Sequence, residues 1–212
     1  MPELPDVEVF KKYLDATSLY QTIAEVETKS RDMLGNVTPQ ALRQSLTDHE
    51  IEGSKRHGKF LFLRIDDEVW LVLHFGMTGF LKYFKNGNDS SEHVRLLLKF
   101  SNGYRLAYDC KRKLGAIELT KDPQKFVEDK GLGPDALQSE FDVETFGRIL
   151  EGRRGRIKST LMNQQLMAGI GNVYSDEILF HVGIHPEAKA RAIKEPMQER
   201  LFHGMKEVLQ TA

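Results

Sequence analysis

The chain has 212 residues, of which 40% are hydrophobic and 29% are charged, an ordinary balance for a folded globular protein of one or two domains. No apolar run approaches the roughly 20 residues that span a bilayer, and the acidic start of the chain does not have the basic region of a secretory signal. A single cysteine, Cys110, excludes an internal disulfide and a cysteine-rich zinc site. The sequence therefore predicts an intracellular protein, in the cytoplasm and nucleoid or, in a eukaryote, the nucleus.

The formal net charge of −1 counts against a nucleic-acid binder, because phosphates attract Lys and Arg. Basic residues nevertheless cluster at 55–59, 111–113 and 153–158, while acidic residues concentrate elsewhere, as at 66–68. Such clusters are either solvated surface loops or contact points for phosphate, and composition leaves both interpretations open.

The first half of the chain has the pattern of an antiparallel β-protein. A helix is predicted to start near Pro5, because Val7, Phe10 and Leu14 share one face, and an early strand is predicted over 23–28. Turn residues at 66–67, 86–88 and 102–103 then separate five short runs rich in Val, Leu, Phe and Tyr, at 58–65, 69–75, 79–84, 93–100 and 104–110. Their spacing predicts an antiparallel sandwich or barrel.

The second half has the pattern of a helical domain. Asp142 can cap a helix over 143–150, Asn172 can cap one over 172–182, and further helices are predicted over 157–166 and 195–209. The fold class is therefore α+β, with a β-sandwich domain and its flanking helix over 1–125 and an all-α domain over 126–212.

The second residue of the chain carries possible chemistry. Removal of Met1 would give Pro2 a free secondary amine, which can attack an aldehyde carbon and form an iminium ion. Glu3 follows directly and could donate a proton to a reacting sugar. Many chains begin Met-Pro without any such role, and a retained Met1 would make this nitrogen an amide.

Four blocks in order carry a resemblance to a known family. These are MPELPDVEV at the start, RHGKFLFL at 56–63, HFGMTGFL at 74–81, and the long block LMNQQLMAGIGNVYSDEILFHVGIHP at 161–186, preceded by LGPDAL at 132–137. Together they resemble the formamidopyrimidine-DNA glycosylase / endonuclease VIII family, in its formamidopyrimidine branch. The long block looks like the helix–two-turn–helix DNA-binding element of that family, and the resemblance spans nearly all of the chain.

The resemblance implies roles for individual residues. Pro2 would be the nucleophile at C1′ of the damaged nucleotide, Glu3 its acid partner, and Lys59 a lysine that contacts phosphate and supports catalysis. Without the resemblance, Lys59 is simply a surface strand lysine.

Three further residues would fill the gap left by a flipped-out base. Met77 falls on the family methionine in that role, although a flexible Met also suits ordinary core packing. Arg112 and Leu114 align best with the family's arginine and aromatic wedge. Leu is smaller than the usual Phe, and Cys110-Lys111 occupy the stretch where the family has an aspartate nearer the arginine.

Lys158 and Asn172 fall on phosphate-binding positions, and the backbone N–H groups at a helix N-terminus form an anion site independently of any resemblance. Asn172 could also be a plain helix cap. Glu177 matches a glutamate near the catalytic pocket, or is a first-turn acid favoured by the helix dipole.

Two features depart from the family pattern. The chain stops at Ala212 and has no cysteine set for the usual C-terminal zinc finger, so we expect the zinc-finger domain to be absent and DNA affinity to be weaker than in full-length relatives. Position six holds Asp6, where this branch favours glutamate.

The resemblance implies a bifunctional DNA glycosylase and abasic-site lyase of base-excision repair, with oxidised purines as the favoured substrates. It would act as a monomer on double-stranded DNA that contains damaged bases or abasic sites, lying across a cleft between the domains, with no metal or organic cofactor. The alternative is a protein that binds damaged DNA or abasic sites without cutting.

Overall fold

The computed structural model describes residues 1–85 and 92–212, so the turn predicted at 86–88 lies outside the described residues. The chain divides into two compact units. The β-unit comprises residues 1–2 and 6–126, and the helical unit comprises residues 3–5 and 127–212. The short N-terminal segment 3–5 therefore belongs with the second half of the chain rather than with the first.

Two four-stranded antiparallel sheets build the β-unit. The strands are β1 (Ile23–Thr28), β2 (Gly53–His57), β3 (Phe60–Arg64), β4 (Trp70–His74), β5 (Gly79–Lys85), β6 (Val94–Phe100), β7 (Tyr104–Cys110) and β8 (Ala116–Thr120). One sheet has the order β1-β6-β7-β5 and the other β2-β3-β4-β8. Buried side chains from both sheets, such as Leu71 and Leu106, share one core, which confirms the predicted antiparallel sandwich.

Two helices contribute apolar side chains to this core. Helix α1 (Leu4–Ser18) buries Val7 and Leu14, as its predicted apolar face requires. Helix α2 (Pro39–Leu46) buries Leu42 and Leu46, and the Thr38 side chain caps its first turn. Helix α2 was not predicted from the sequence, because a helix of only 8 residues shows little periodicity.

The helical unit contains most of the remaining helices: α4 (Val143–Glu151), α5 (Ile157–Leu161), α6 (Asn172–Val182) and α7 (Met197–Thr211); α3 (Pro123–Asp129) leads into it. The predicted cap of α4 is confirmed, since Asp142 Oδ1 accepts the Thr145 N–H at 2.8 Å. The predicted helix over 157–166 is wrong in length. It ends at Leu161 because Asn163 Oδ1 accepts the Gln165 N–H at 2.9 Å and turns the chain.

An aromatic cluster anchors the core of the helical unit. The rings of Phe141, Phe146 and Phe202 lie with centroids 5.6–6.2 Å apart, and Leu4 joins the same core. Among the described residues, no helix is long and apolar enough to cross a bilayer. Within the same residues, no group of three or more His, Cys, Asp or Glu side chains is placed to hold a metal ion.

Candidate active site

The Glu3 carboxylate lies at the N-terminus of α6. It is 1% exposed. Its Oε2 accepts the Gly171 N–H at 2.6 Å and the Tyr174 N–H at 3.3 Å, while Oε1 accepts the Val173 N–H at 2.9 Å. These donors are among the N–H groups that a helix leaves unpaired at its start, and the positive end of the helix dipole favours a negative charge there. A carboxylate from the start of the chain therefore caps the N-terminus of a helix in its last quarter.

The residue after Glu3 fixes the same segment in the helical unit. The Leu4 N–H donates to Gly169 O at 3.0 Å, and the Leu4 side chain is fully buried. Gly169 has a φ of +115°, and a Cβ there would lie 2.5 Å from Leu4 Cδ1, so only glycine fits this contact. Pro2, which is half-buried, thus directly precedes two anchored residues and has little positional freedom.

The start of α6 corrects two expectations from the sequence. Asn172 is not the N-cap, since Gly171 occupies that position without a side-chain cap and the Glu3 carboxylate takes over the capping. Asn172 is instead the first helical residue, and its side chain is exposed. Glu177 is also exposed but is the sixth residue of α6, so it is not a first-turn acid.

Gln164 holds the two-turn segment between α5 and α6 in shape. Its side-chain amide donates to Ile170 O at 2.6 Å and to Met162 O at 2.8 Å, and its Oε1 accepts the Gly169 N–H at 2.9 Å. Buried loop backbone needs such partners. This role of Gln164 is not apparent from the sequence, because nothing local distinguishes it from Gln165.

Lys158 projects from α5 and forms an ion pair with α6. Its Nζ lies 2.7 Å from Oδ1 and 2.8 Å from Oδ2 of Asp176. Nearby, Arg156 forms an ion pair with Glu187 at 2.8 Å. Both cations line a cavity of about 300 Å³ whose wall also includes Ser159, Met162 and Pro186. Neither ion pair is predictable from the sequence, because Asp176 and Glu187 are remote in the chain from the cations that they bind.

Lys59 lies in the tight turn between β2 and β3 of the β-unit. It is only 6% exposed, so the interpretation as a surface strand lysine is wrong. Gly58 before it adopts a φ of +54°, which this turn requires. Arg56 on β2 forms an ion pair with Glu8 of α1 at 2.8 Å and ties this hairpin to the helix. Burying an ammonium is costly, so a lysine held here is a candidate for a functional role.

Met77, Arg112 and Leu114 lie on two adjacent loops of the β-unit. Met77 is 41% exposed and Leu114 is 52% exposed, so neither is a core residue. The Arg112 N–H donates to Thr78 Oγ1 at 3.1 Å, which joins the loop after β7 to the turn after β4. A Cβ on Gly76 would lie 2.4 Å from the Leu114 carbonyl carbon, so the two loops touch through their backbones.

Comparisons with known proteins agree with this architecture. The N-terminal domain model of formamidopyrimidine-DNA glycosylase matches residues 1–117, and the model of its H2TH domain matches residues 132–212. A formamidopyrimidine-DNA glycosylase from Syntrophomonas wolfei is 38% identical over 210 residues, which cover 99% of this chain and 76% of the relative. One from Moorella thermoacetica is 34% identical over 99% of this chain and 77% of its own length.

Solved structures give the same result. The Lactococcus lactis enzyme bound non-covalently to DNA with an abasic site superposes with a TM-score of 0.93 at 31% identity, over 99% of this chain and 80% of its own. A MutM complex with DNA containing carbocyclic 8-oxo-G also gives 0.93, at 33% identity, over 100% of this chain and 79% of its own. The fold is that of a base-excision-repair DNA glycosylase. The chain belongs to the formamidopyrimidine-DNA glycosylase family, whose members also have abasic-site lyase activity.

Proposed function

We propose that this chain excises oxidised bases, with purines favoured, from double-stranded DNA and then cleaves the strand, using the amine of Pro2 as a covalent nucleophile. The observation that carries this proposal is the anchoring of Glu3 and Leu4, which fixes the backbone directly after Pro2 and the carboxylate of the residue that follows it in the chain. The protein would act as a monomer on cellular DNA, in the nucleoid or a nucleus.

The chemistry begins once Met1 has been removed. The damaged nucleotide leaves the base stack, because C1′ is not accessible within the duplex. The neutral Pro2 nitrogen forms a bond to C1′, the glycosidic bond breaks, and the base leaves with the bonding electrons and a proton. Opening of the sugar ring, with O4′ taking up a proton, gives an iminium ion between Pro2 and C1′.

Glu3 relays a proton to O4′ in this mechanism. The secondary amine of Pro2 releases one proton as the iminium forms, and water supplies the second of the two protons that O4′ and the departing base take up. The Glu3 carboxyl is the titratable group next to Pro2 in the chain, and α6 fixes its orientation through three backbone N–H groups. The iminium then acidifies the neighbouring C2′ position, and loss of that proton expels the 3′ phosphate by elimination. The chain's own amine and carboxyl, together with water, supply every group needed, so no cofactor enters the scheme.

The remaining residues bind and position DNA in this proposal. Lys59, Lys158 and Asn172 contact phosphates, and the exposed side chains of Met77, Arg112 and Leu114 fill the space left by the extruded base. The two touching loops that carry these three side chains support that role, since one movement would insert them together. Glu177 lies on the same helix as Asn172 and would border the damaged nucleotide.

Borohydride trapping on DNA with an abasic site tests the covalent step. The wild-type chain should form a stable adduct, and Pro2→Gly should lower the rate of adduct formation by at least tenfold. An intact-mass measurement of the same sample establishes whether the Pro2 amine is free. Full binding without an adduct, from a chain that lacks Met1, would favour the non-catalytic lesion binder, and equal trapping by Pro2→Gly would identify a different nucleophile.

A further inference from the structure

Lys158, the lysine of the helical unit that we propose to contact phosphate, already has an anionic partner. Both carboxylate oxygens of Asp176 lie within 2.8 Å of Lys158 Nζ. Asp176 lies on an exposed turn of α6, and its side chain is 50% exposed, against 26% for that of Lys158.

We propose that Asp176 competes with DNA phosphate for Lys158 and thereby limits the affinity of the enzyme for its product. This inference rests on the proposed phosphate contact of Lys158. A phosphate that binds this ammonium must displace the carboxylate from it. Part of the attraction between Lys158 and DNA is therefore offset by the loss of the Lys158–Asp176 ion pair.

The size of the effect follows from the charges. Both carboxylate oxygens of Asp176 already lie within hydrogen-bond distance of Lys158 Nζ, so a phosphate gains full access to this compact charge only by displacing the carboxylate. Two unit charges about 4 Å apart in water alter a binding constant by about fivefold. Removing the charge of Asp176 should therefore tighten DNA binding by about fivefold at low salt.

The opposite interpretation is that Asp176 holds Lys158 ready for DNA. The packing of Lys158 argues against it, because about three quarters of this side chain is already covered, and its cavity has a wall that includes Met162 and Pro186. A lysine stem can pack along apolar surface of this kind, so it does not need a carboxylate to position it. Asp176 adds a charge at the tip, where phosphate would bind, rather than a support for the stem.

Equilibrium binding of the full chain to duplex DNA with a tetrahydrofuran abasic analogue tests the proposal. Asp176→Asn keeps the shape of the side chain and should bind about fivefold more tightly, with a slope of log K against log salt that is steeper by up to about 0.9. Glu199→Gln, which removes the same charge from an exposed position on α7, controls for net charge and should change affinity by less than about twofold.

A double-mutant cycle separates competition at Lys158 from general repulsion. Lys158→Ala should weaken binding, and Asp176→Asn should give no further gain when Lys158 is absent. A gain that persists in the Lys158→Ala background, or weaker binding by Asp176→Asn alone, would overturn the inference. If Lys158→Ala binds as the wild type does, the proposed phosphate contact itself fails, which is a different result from failure of the competition.

Turnover provides a second readout that a purely structural role would not produce. Asp176→Asn should leave the single-turnover rate unchanged, since Asp176 touches no reacting atom in the proposed mechanism. Its multiple-turnover rate should fall by about fivefold where product release limits the cycle, because tighter binding mostly slows dissociation. Equal multiple-turnover rates for the variant and the wild type, combined with unchanged affinity, would refute the competition.

Discussion

Glu3→Ala should destabilise the helical unit as well as abolish activity. The substitution removes the acceptor of three backbone N–H groups, two in good bonds at 2.6 and 2.9 Å and one in a weaker bond at 3.3 Å. Hydrogen bonds to a charged group contribute about 1.5–3 kcal/mol each, and unpaired buried donors bear a similar cost. Because water can reach part of this helix start, we expect a loss of about 3–5 kcal/mol in the free energy of unfolding.

Thermal unfolding monitored by circular dichroism at the helical band measures this loss. For a chain of this size, 1 kcal/mol corresponds to roughly 2–4 °C, so Glu3→Ala should lower Tm by roughly 6–20 °C. Glu3→Gln keeps one carbonyl oxygen for the Gly171 N–H and should lose about half as much. Glu177→Ala removes an exposed acid from the same helix and serves as the control, with a change within about 0.5 kcal/mol.

Two results would contradict this account. If Glu3→Ala melts within about 2 °C of the wild type, the carboxylate does not stabilise the start of α6. If Glu3→Gln loses as much stability as Glu3→Ala, the glutamine side chain does not replace the carboxylate as an acceptor of the Gly171 N–H. A loss of activity in Glu3→Gln at a temperature far below its Tm would assign that loss to chemistry rather than to unfolding.

Three further substitutions test other contacts of the fold. Gly76→Ala would place a Cβ 2.4 Å from the Leu114 carbonyl carbon. The control is Gly103→Ala, because Gly103 also has a positive φ but its Cβ would meet no atom within 4 Å. Chemical denaturation should show that Gly76→Ala lowers stability by about 1–3 kcal/mol more than Gly103→Ala does. Gly204→Ala should destabilise the protein by about 1–3 kcal/mol, because the added Cβ would lie 2.4 Å from a methyl group of α6. This clash should outweigh the higher helix propensity of Ala, and a rise in the denaturation midpoint would contradict the packing. The backbone N–H of Thr145, which Asp142 caps, holds the pKa of this carboxyl below its ordinary value, so its contribution to stability is present at neutral pH and is lost as the pH falls through the lowered pKa. The Tm difference between the wild type and Asp142→Asn should therefore shift in favour of the variant below about pH 4, and a constant difference would contradict this capping interaction.

Strong local patterns made most of the fold predictable from the sequence. Strand β6 has an apolar residue at every second position from Val94 to Phe100, which is the pattern of a strand. Helix α4 starts directly after Asp142, the cap that the local sequence supplies. The strand β2, with the sequence GSKRH, lacks any apolar alternation and exists because its backbone pairs with β3. Such a strand is stabilised by backbone pairing with its neighbour rather than by its own side chains, so the periodicity of its sequence does not reveal it.

The candidate site was less predictable, since its geometry depends on contacts between distant segments. The sequence suggested Glu3 because it follows Pro2, but could not show that its carboxylate caps a helix 168 residues further along the chain. The same limitation explains the wrong cap at Asn172, which local preference favours and a remote carboxylate replaces. The pairing of Asp176 with Lys158 was not predictable for a similar reason, because only the folded helical unit brings the two residues together.

The anchoring of the N-terminus has a mechanical consequence for the enzyme. Glu3 and Leu4 belong to the helical unit, so the backbone that carries Pro2 is attached to the start of the helix that also presents Asn172. If Pro2 is the nucleophile and Asn172 contacts phosphate, one short stretch of helix positions both the reacting nitrogen and a DNA contact. Rigid placement of a nucleophile relative to its substrate is worth several kcal/mol in a covalent step. Substitutions at this helix start should therefore impair the rate of iminium formation together with DNA binding, rather than binding alone.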